Sequence, residues 1–369
     1  MSFCLTEKGR LLKHKITKYA LKRTLLSLVC FGLLLWQPLF CADASEAPSL
    51  TAQRVHQQKQ APYQRIAGGV PQSRAVLKDV TLIVSSCDKY SSLWPSFFAC
   101  LFRYWPSLQT YNKDVPILLI SGKQDFEHPR VSVFKTGDDL GWAANLKQAL
   151  AAVKTPYVLY LQDDYLLCRF VEDAPLARII DVMNTHSKAV YCQLAADAVW
   201  FKEGTPSVQK AAFAPWLLQK NIHARYRTSL QAALWRTDVL QNLVLEREGP
   251  WRFEKTGSKR ASALEHEKGA LFLIVKDKSP LVYLNAVWKG GIGASVLCWM
   301  KKEGLPLPPQ GTFDVRYDPY VRQREEPESY TILKASGCCT PENCKGEERY
   351  GKKHSRFFKS VFKKLFAAS

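Results

Sequence analysis

The apolar run Tyr157–Leu161 constrains the fold of this chain more than any other feature, because it leads to two adjacent carboxylates, Asp163 and Asp164. An unbroken apolar run of this length, opened by Pro156, is typical of a strand buried on both faces of a parallel sheet. The two aspartates then lie at the carboxyl end of the strand. In open α/β sheets, ligands bind in the crevice outside those ends. The alternative is a turn whose Asp side chains hydrogen-bond their own backbone.

A second apolar run, Val80–Val84, has the same form and leads through two serines and a cysteine to Asp88. A helix-length segment from Ser91 to about Tyr104 follows it. Farther on, Asp139 is a predicted N-cap for an amphipathic helix that leads directly into the acid-ending strand. The apolar positions of that helix are Trp142, Leu146, Ala149, Leu150 and Val153. Strands and helices thus alternate, which indicates a sheet built from βαβ units.

Five motifs occur in the order found in nucleotide-sugar glycosyltransferases of the GT-A fold, and the chain resembles that class, glycosyltransferase family 2 in particular. The motifs are Ser86–Tyr90, Gly141–Leu146, Leu161–Tyr165, Ser229–Trp235, and Pro250–Glu254 together with Gly257–Ala261. The resemblance implies a catalytic domain over residues 78–304 with an α/β fold, a mostly parallel central sheet and helices on both faces. The usual Asp-x-Asp metal motif is altered, because Gln162 takes the first acidic place, and metal dependence is therefore open.

The activity that the resemblance implies is transfer of a sugar from a nucleoside-diphosphate sugar to a glycan, lipid or protein acceptor. Negative charge then develops on the leaving diphosphate, and a divalent cation, Mn²⁺ or Mg²⁺, or basic side chains must neutralise it. Asp164 is the first candidate for the metal ligand, and Asp163 helps it or binds the donor sugar. The predicted donor-binding residues are Ser86, Asp88, Asn145, Asp163, Lys259 and Arg260.

An inverting transferase also needs a base that takes the proton of the acceptor hydroxyl. Glu254 is the candidate, because the neighbouring aromatics Trp251 and Phe253 would desolvate it and raise its pKa. Trp251 and Trp288 are the predicted acceptor-binding residues. The alternative for Glu254 is a surface carboxylate paired with an adjacent basic residue, and the base would then be sought elsewhere. The other acidic candidates are Asp197, Glu265 and Glu267.

Much of the formal net charge of +19 lies in the two tails of the chain. Residues 1–24 form a basic tail, residues 25–42 carry no charge, and residues 43–77 are rich in Gln, Pro, Ser and Ala. The uncharged stretch has about the length of a membrane span, and its basic flank would keep the N-terminus cytoplasmic. We therefore expect a single-pass anchor followed by a flexible stem. A signal peptide cleaved near Ala44, which would give a secreted protein, is the alternative.

Residues 305–369 are expected to leave the domain as an extended segment and a basic tail. Apolar residues recur at helical spacing between the lysines of this tail, which suits an amphipathic helix lying on a membrane or docking on the protein itself. The tails thus indicate contact with anionic lipid and not with nucleic acid. The cysteine cluster Cys338, Cys339 and Cys344 favours a local disulfide outside the cytosol over a zinc site with His354.

Two other classes of protein remain open on the sequence. A nucleotidyltransferase would use the same sheet and acid pair, but the segment after the first predicted strand lacks the Gly- and Arg-rich phosphate loop expected of it. A non-catalytic, membrane-anchored module that binds carbohydrate or nucleotide is the second. The donor sugar, the acceptor and the linkage cannot be read from these motifs.

Overall fold

The computed structural model of the chain describes residues 75–195, 201, 203–316 and 328–338. All of them belong to one compact unit, Val70–Ser369. The basic N-terminal tail, the expected anchor, most of the expected stem and the basic C-terminal tail lie outside the described residues, as do Asp197, Cys339 and Cys344. The predictions for these residues are therefore not tested by the structure. Among the described residues, no helix has both the length and the apolar character needed to cross a membrane.

The described residues form fourteen strands and seven α-helices. The strands are β1 Val80–Ser85, β2 Ile117–Ser121, β3 Ser132–Lys135, β4 Tyr157–Gln162, β5 Tyr165–Leu167, β6 Ala189–Gln193, β7 Val208–Lys210, β8 Leu217–Lys220, β9 Ala233–Arg236, β10 Leu271–Val275, β11 Tyr283–Asn285, β12 Val287–Trp288, β13 Gly291–Gly293 and β14 Asp314–Arg316. The helices are α1 Trp94–Tyr104, α2 Trp142–Ala152, α3 Asp173–Thr185, α4 Thr237–Leu243, α5 Pro250–Lys268, α6 Ala294–Lys302 and α7 Glu328–Ala335. Short 3₁₀ helices span Asp88–Leu93 and Pro106–Gln109.

A nine-stranded sheet forms the centre of the unit, in the order β3-β2-β1-β4-β9-β6-β10-β8-β7. Strands β3, β2, β1 and β4 are parallel neighbours, and β6 and β10 form a second parallel pair. Strand β9 runs antiparallel to both β4 and β6, and β8 runs antiparallel to β10 and β7. The predicted α/β class with a mostly parallel central sheet is therefore confirmed.

Helices cover both faces of this sheet, and the strand sequences explain why. Alternate residues of a strand point to opposite faces, so Leu82 and Leu159 contribute to one hydrophobic cluster while Ile83 and Val158 contribute to the other. Helices α1, α3, α6 and α7 supply side chains to the first cluster, and α2, α4 and α5 supply side chains to the second. Strands buried on both faces read as unbroken apolar runs, which is the pattern that predicted β1 and β4.

Two small sheets close over the end of β4. Strand β5, which follows the two aspartates, pairs with β11, and β12, β13 and β14 form the second small sheet. The junction between β11 and β12 is fixed to the acidic segment, because the Ala286 N–H donates to the Asp164 carbonyl at 2.8 Å. Phe313, Val315 and Leu333, which follow the predicted domain end at Gly304, are buried in the same core.

The prediction that Asp139 is the N-cap of α2 is wrong. Helix α2 begins at Trp142, its N-cap position is Gly141, and no side chain caps it. The Asp139 carboxylate instead accepts hydrogen bonds from the Gly141 N–H and from the Asn145 side-chain amide, both at 2.9 Å. The positive φ of Gly141, 93°, lets the chain turn between the two.

A buried carboxylate in the first turn of α3 joins this helix to the segment after α1. Asp173 accepts hydrogen bonds from Trp105 Nε1 at 2.7 Å, Ser107 Oγ at 3.0 Å and Tyr111 Oη at 2.6 Å. We expect Asp173→Ala to lower the free energy of unfolding by about 2–4 kcal/mol, because buried donors lose their acceptor. Denaturant unfolding measures this. Asp181→Ala, on the exposed side of the same helix, should change it by less than about 0.5 kcal/mol, and equal losses in the two variants would contradict the role of Asp173.

Candidate active site

The two aspartates lie between β4 and β5, at the edge of the sheet where β1 also ends. The parallel register aligns Ser85 with Gln162, so Ser86 and Asp163 are the next residues along each strand. The Ser86 hydroxyl donates a short hydrogen bond to Asp163 Oδ2, and Trp94 Nε1 donates to the Ser86 oxygen at 2.7 Å. Burial raises the pKa of Asp163 well above its ordinary value, and the adjacent Asp164 raises it further. A relay of hydrogen bonds thus fixes the first carboxylate.

The second carboxylate is not satisfied in the same way. Asp164 Oδ1 is buried and has no hydrogen-bond partner. Burial raises the pKa of Asp164 to about 7, although backbone hydrogen bonds from Asp164 itself and from Val287 act in the opposite direction. The own-backbone bond is what a simple Asp turn predicts, but that turn leaves Oδ1 unpaired. An unpaired buried carboxylate oxygen is costly, and a hard cation is the kind of ligand that removes the cost.

The pair can hold a divalent cation only with help from other ligands. Among the described residues, no group of three or more His, Cys, Asp or Glu side chains lies close enough together to hold a metal ion. Mg²⁺ and related ions are commonly held by one or two carboxylates together with substrate phosphates and water. Asp163 and Asp164 therefore fit a cation that arrives with a phosphorylated ligand. They do not form a complete protein cage.

Glu254 lies in the second turn of α5 and is half-buried. Its Oε1 accepts hydrogen bonds from the Leu230 N–H at 2.9 Å and the Ser229 hydroxyl at 3.3 Å. Burial raises the pKa of Glu254, and these two hydrogen bonds lower it by less. Its aromatic neighbours in sequence lie elsewhere: the Phe253 ring packs in the core at 5.3 Å from Trp142, and Trp251 is 65 % exposed.

A pair of stacked tyrosines connects Glu254 with the aspartates. Tyr165 stacks on Tyr283 with ring centroids 4.4 Å apart, and its hydroxyl donates to the Leu230 carbonyl at 3.0 Å. Burial raises the pKa of Tyr165, and nearby negative charge on Asp164 and Glu254 raises it further. Tyr165 follows Asp164 directly, and Leu230, whose carbonyl accepts from Tyr165, donates its N–H to Glu254. The structure therefore brings Asp163, Asp164 and Glu254 to one site.

Asp88 is engaged by the protein itself. Its carboxylate accepts hydrogen bonds from the Ser121 hydroxyl and from the backbone N–H groups of Gly122, Lys123 and Gln124. Burial raises the pKa of Asp88, but these four hydrogen bonds together outweigh it and lower the value. A Cβ on Gly122 would lie 2.8 Å from the carboxylate, so this loop needs glycine. Asp88 therefore fixes the loop after β2, and a contact with a nucleotide stays a prediction.

The other three predicted donor-binding residues lie on two helices, Asn145 on α2 and Lys259 and Arg260 on α5. Asn145 is buried in the first turn of α2, where its Oδ1 has no hydrogen-bond partner. Arg260 is engaged elsewhere, since its guanidinium forms a two-bond salt bridge with Glu248 and its Nε donates to the Leu243 carbonyl. Lys259 is exposed and lines a cavity beside α5. The structure thus does not group Lys259 and Arg260 as one clamp.

The two predicted acceptor-binding tryptophans lie on different elements. Trp288 is 36 % exposed and follows Val287, whose backbone hydrogen-bonds Asp164. It therefore lies on the small sheet that closes over the aspartates. Trp251 lies in the first turn of α5, on the same helix as Glu254.

Several residues of the site were not predicted from the sequence. Trp94 donates to Ser86, eight residues before it, and Tyr283 donates through its hydroxyl to Gln231 Oε1, 52 residues before it. No local pattern marks such contacts. Tyr165 is different, because it immediately follows Asp164 in the motif Leu161–Tyr165. Its position next to the two acids could have predicted that it belongs to the site.

Comparisons with known proteins find only distant structural similarity. No family model matches the sequence, and no curated protein matches it. Among solved structures, residues 1–349 of TarS from S. aureus align with 10 % identity and a TM-score of 0.37, covering 56 % of this chain and 60 % of that one. The mannosyltransferase PcManGT from Pyrobaculum calidifontis, in complex with GDP-Man and Mn²⁺, aligns with 13 % identity and a TM-score of 0.39, covering 78 % and 75 %.

The bifunctional IspDF from Campylobacter jejuni is a third such structure, with 16 % identity and a TM-score of 0.34 over 62 % of this chain and 55 % of that one. The chain thus spans about three fifths of the TarS fragment it matches. Scores at this level do not establish a shared activity, and the α/β class rests on the strands and helices described above.

The hydrogen-bond relay through Ser86 gives a direct test of how Asp163 is held. We expect Ser86→Ala to lower the free energy of unfolding by about 1–3 kcal/mol, because Trp94 Nε1 and the Asp163 carboxylate both lose a partner. The matched control is Ser92→Ala, since the Ser92 hydroxyl is buried without a hydrogen-bond partner and its removal should be neutral or stabilising. Denaturant unfolding of both variants makes the comparison. A Ser86 variant as stable as the Ser92 variant would show that the relay does not hold Asp163.

Proposed function

We propose that this protein is a glycosyltransferase that moves a sugar from a nucleoside-diphosphate sugar to a hydroxyl group of a glycan, lipid or protein acceptor. The observation that supports this most is the unpartnered, buried Oδ1 of Asp164 beside the buried Asp163, with Glu254 across Tyr165. An acid pair for a cation and a separate, partly desolvated carboxylate are the two groups that such a transfer needs. The five motifs in the order of the GT-A class support the same proposal.

The acid pair is the proposed donor end of the site. Asp164 and Asp163 would hold Mn²⁺ or Mg²⁺, which when bound neutralises the charge that develops on the leaving diphosphate. Ser86 and Trp94 keep the Asp163 carboxylate in place. Gln162 stands where the family has its first acid, so the second carboxylate of the pair is the intervening Asp163, and the donor phosphates must complete the coordination.

Glu254 is the proposed general base. Its Oε1 accepts both hydrogen bonds from Ser229 and Leu230, which leaves Oε2 to accept the proton of the acceptor hydroxyl. Burial raises the pKa of this carboxyl above its ordinary value, and a base whose pKa lies closer to the working pH is more effective. The oxygen of the acceptor then forms its bond to the sugar as the sugar leaves the diphosphate.

The proposal also includes an N-terminal membrane anchor over residues 25–42, supported by the uncharged stretch and its basic flank. Washing membranes with alkaline carbonate measures attachment. Recovery of a soluble protein that begins near Ser45 would instead mean that the stretch is a cleaved signal peptide.

A panel of nucleotide sugars, assayed with and without manganese, tests the proposed activity. Release of a nucleoside diphosphate supports glycosyl transfer, and release of pyrophosphate from a nucleoside triphosphate and a sugar phosphate would instead show a nucleotidyltransferase. Failure to bind any nucleotide would favour a non-catalytic module. These three outcomes separate the proposed function from both alternatives.

We expect Asp164→Asn to abolish turnover, because an amide is a much weaker ligand for a hard divalent cation than a carboxylate. Burial disfavours the charge of Asp164, so the neutral amide should leave the melting temperature unchanged or higher. Asp277→Asn, on an exposed residue after β10, is the control and should keep full turnover. Nucleoside diphosphate release is the measurement. Turnover at the wild-type rate in the Asp164 variant would remove this residue from the site.

We expect Glu254→Gln to reduce transfer by about a hundredfold or more, the usual contribution of a general base. The amide keeps the size of the side chain and an oxygen for the Leu230 N–H, so the affinity for the nucleotide sugar should barely change. Single-turnover rates and donor binding are measured in parallel. If donor binding falls together with transfer, Glu254 is a donor-site or structural residue; if transfer is unchanged, Glu265 and Glu267 are the described alternatives.

Removing the Ser229 hydroxyl should change the pH dependence in a defined direction. The Ser229 hydrogen bond lowers the pKa of Glu254, so Ser229→Ala raises that pKa. The base acts when deprotonated, and the rate is lost as the pH falls through its pKa. The acid limb of the pH–rate profile should therefore move to higher pH. Ser329→Ala, a buried serine on α7, should leave the limb in place, and an unmoved limb in the Ser229 variant would show that Glu254 does not control it.

A further inference from the structure

A cavity of about 440 Å³ lies beside α5, outside the acid pair. The segment between β8 and β9, residues Ile222–Tyr226, forms one wall, and four residues of α5 form the other. The α5 residues are Lys255, Ser258, Lys259 and Ser262. Their spacing of three and four residues places them along one face of the helix. The cavity volume lies within the range of sites that bind small molecules.

The lining of this cavity is basic. Of its nine residues, four carry basic side chains, His223, Arg225, Lys255 and Lys259, and none is acidic. The acidic residues of α5 that the structure pairs are turned to other partners: Glu254 to Leu230, and Glu265 to the buried Arg227. A solvated charge run would mix both signs on the exposed face. The separation observed here favours an anionic occupant.

The wall formed by Ile222–Tyr226 is fixed before any ligand binds. The Ser262 hydroxyl donates to the Ile222 carbonyl, and the buried Lys220 ammonium donates to the Tyr226 carbonyl at 3.2 Å. Tyr226 has a φ of 54°, a left-handed backbone conformation that is costly for a bulky residue. A strained backbone conformation of this kind persists only where contacts with the surrounding structure hold it, and such conformations are common at ligand sites.

The cavity adjoins the part of α5 that carries the proposed base. Lys255 follows Glu254 directly, and the Ser258 hydroxyl donates to the Glu254 carbonyl at 2.5 Å. Tyr165, which follows Asp164 in the chain, donates its hydroxyl to the Leu230 carbonyl, and the Leu230 N–H donates to the Glu254 carboxylate. Helix α5 therefore carries both the proposed base and one wall of the basic cavity. A ligand in the cavity contacts residues of α5 that follow Glu254 in sequence.

We propose that this cavity binds an anionic group of the acceptor, a phosphate or sulfate ester carried close to the hydroxyl that receives the sugar. The proposal rests on the proposed glycosyl transfer for the word acceptor, and on the cavity alone for the binding of the anion. Lysine ammonium groups act as point charges toward phosphate. The function assigned to Lys259 thereby moves from the donor diphosphate to the acceptor.

Protection of individual lysines from acetylation tests the proposal on the full chain. The protein, in neutral detergent, is acetylated sparingly with glucose 6-phosphate, glucose 6-sulfate, glucose or metal-free UDP at one ionic strength, and each lysine is quantified by mass spectrometry. We expect both esters, but not glucose, to slow acetylation of Lys255 and Lys259 several-fold. Lys113 and the α5 residue Lys268, which are exposed and outside the cavity, are internal controls and should react at the same rate in all four samples.

Two outcomes would overturn the proposal. Equal protection of the cavity lysines and the control lysines would mean that the anions act only through general screening. Protection by metal-free UDP without protection by the sugar esters would assign the cavity to the donor. The nucleotide-sugar panel distinguishes failure of this proposal from failure of the proposed function. If no nucleotide sugar is turned over but the esters protect Lys255 and Lys259, the proposed glycosyl transfer is wrong and the anion site is supported.

A pair of variants gives a second measurement. Lys255→Gln combined with Lys259→Gln should lose the rise in melting temperature that glucose 6-phosphate gives the wild-type protein, because the two point charges are gone. Lys113→Gln combined with Lys268→Gln removes the same charge outside the cavity and should keep that rise. Loss of the rise in both double variants would overturn the proposal.

Discussion

Two adjacent carboxylates buried at the end of one strand are the constraint on which the rest of the site depends. Burying an unpaired charge is costly, so the surrounding elements must supply partners. Asp163 obtains them from the end of β1 and from α1, through Ser86 and Trp94, and this requires the exact register between β1 and β4. Asp164 obtains only part of what it needs, because its Oδ1 stays unpaired. The unpaired Oδ1 of Asp164 is the observation that indicates a ligand at this site.

Local patterns in the sequence were enough to predict the elements that carry these acids. Strands β1 and β4 are buried on both faces, so each appears as an unbroken apolar run, and a strand of this kind must end where polar residues begin. Helix α2 has a single apolar face and therefore an amphipathic period. The acids Asp163, Asp164 and Glu254 could be chosen as site candidates because they follow such elements or lie within a quoted motif, and the fold brings them together through Tyr165.

Contacts between distant parts of the chain could not be predicted in this way. The four hydrogen bonds of Asp88 come from residues 33 to 36 positions later, and they make it the anchor of the loop after β2. Arg260 appeared available for a diphosphate, but Glu248, twelve residues earlier, already forms two hydrogen bonds with it. Tyr283 meets Gln231 across 52 residues. A single sequence carries no periodic signal for such pairs, since they are set by tertiary packing.

The fold determines which charged residues of helix α5 are paired within the protein and which face the cavity. The helix contains both acidic and basic residues, and the structure separates them by partner: Glu254 bonds to Leu230, Glu265 pairs with the wholly buried Arg227, and Arg260 pairs with Glu248. Lys255 and Lys259 remain on the face that lines the cavity. Arg227 supports the same separation, because its guanidinium lies 4.7 Å from the Phe272 ring and its Nε and Nη1 groups have no hydrogen-bond partner, so Glu265 is its main charge partner. Since Glu254 and Glu265 are held by other parts of the protein, they do not pair with Lys255 or Lys259, and the positive potential of these lysines acts on a ligand that enters the cavity.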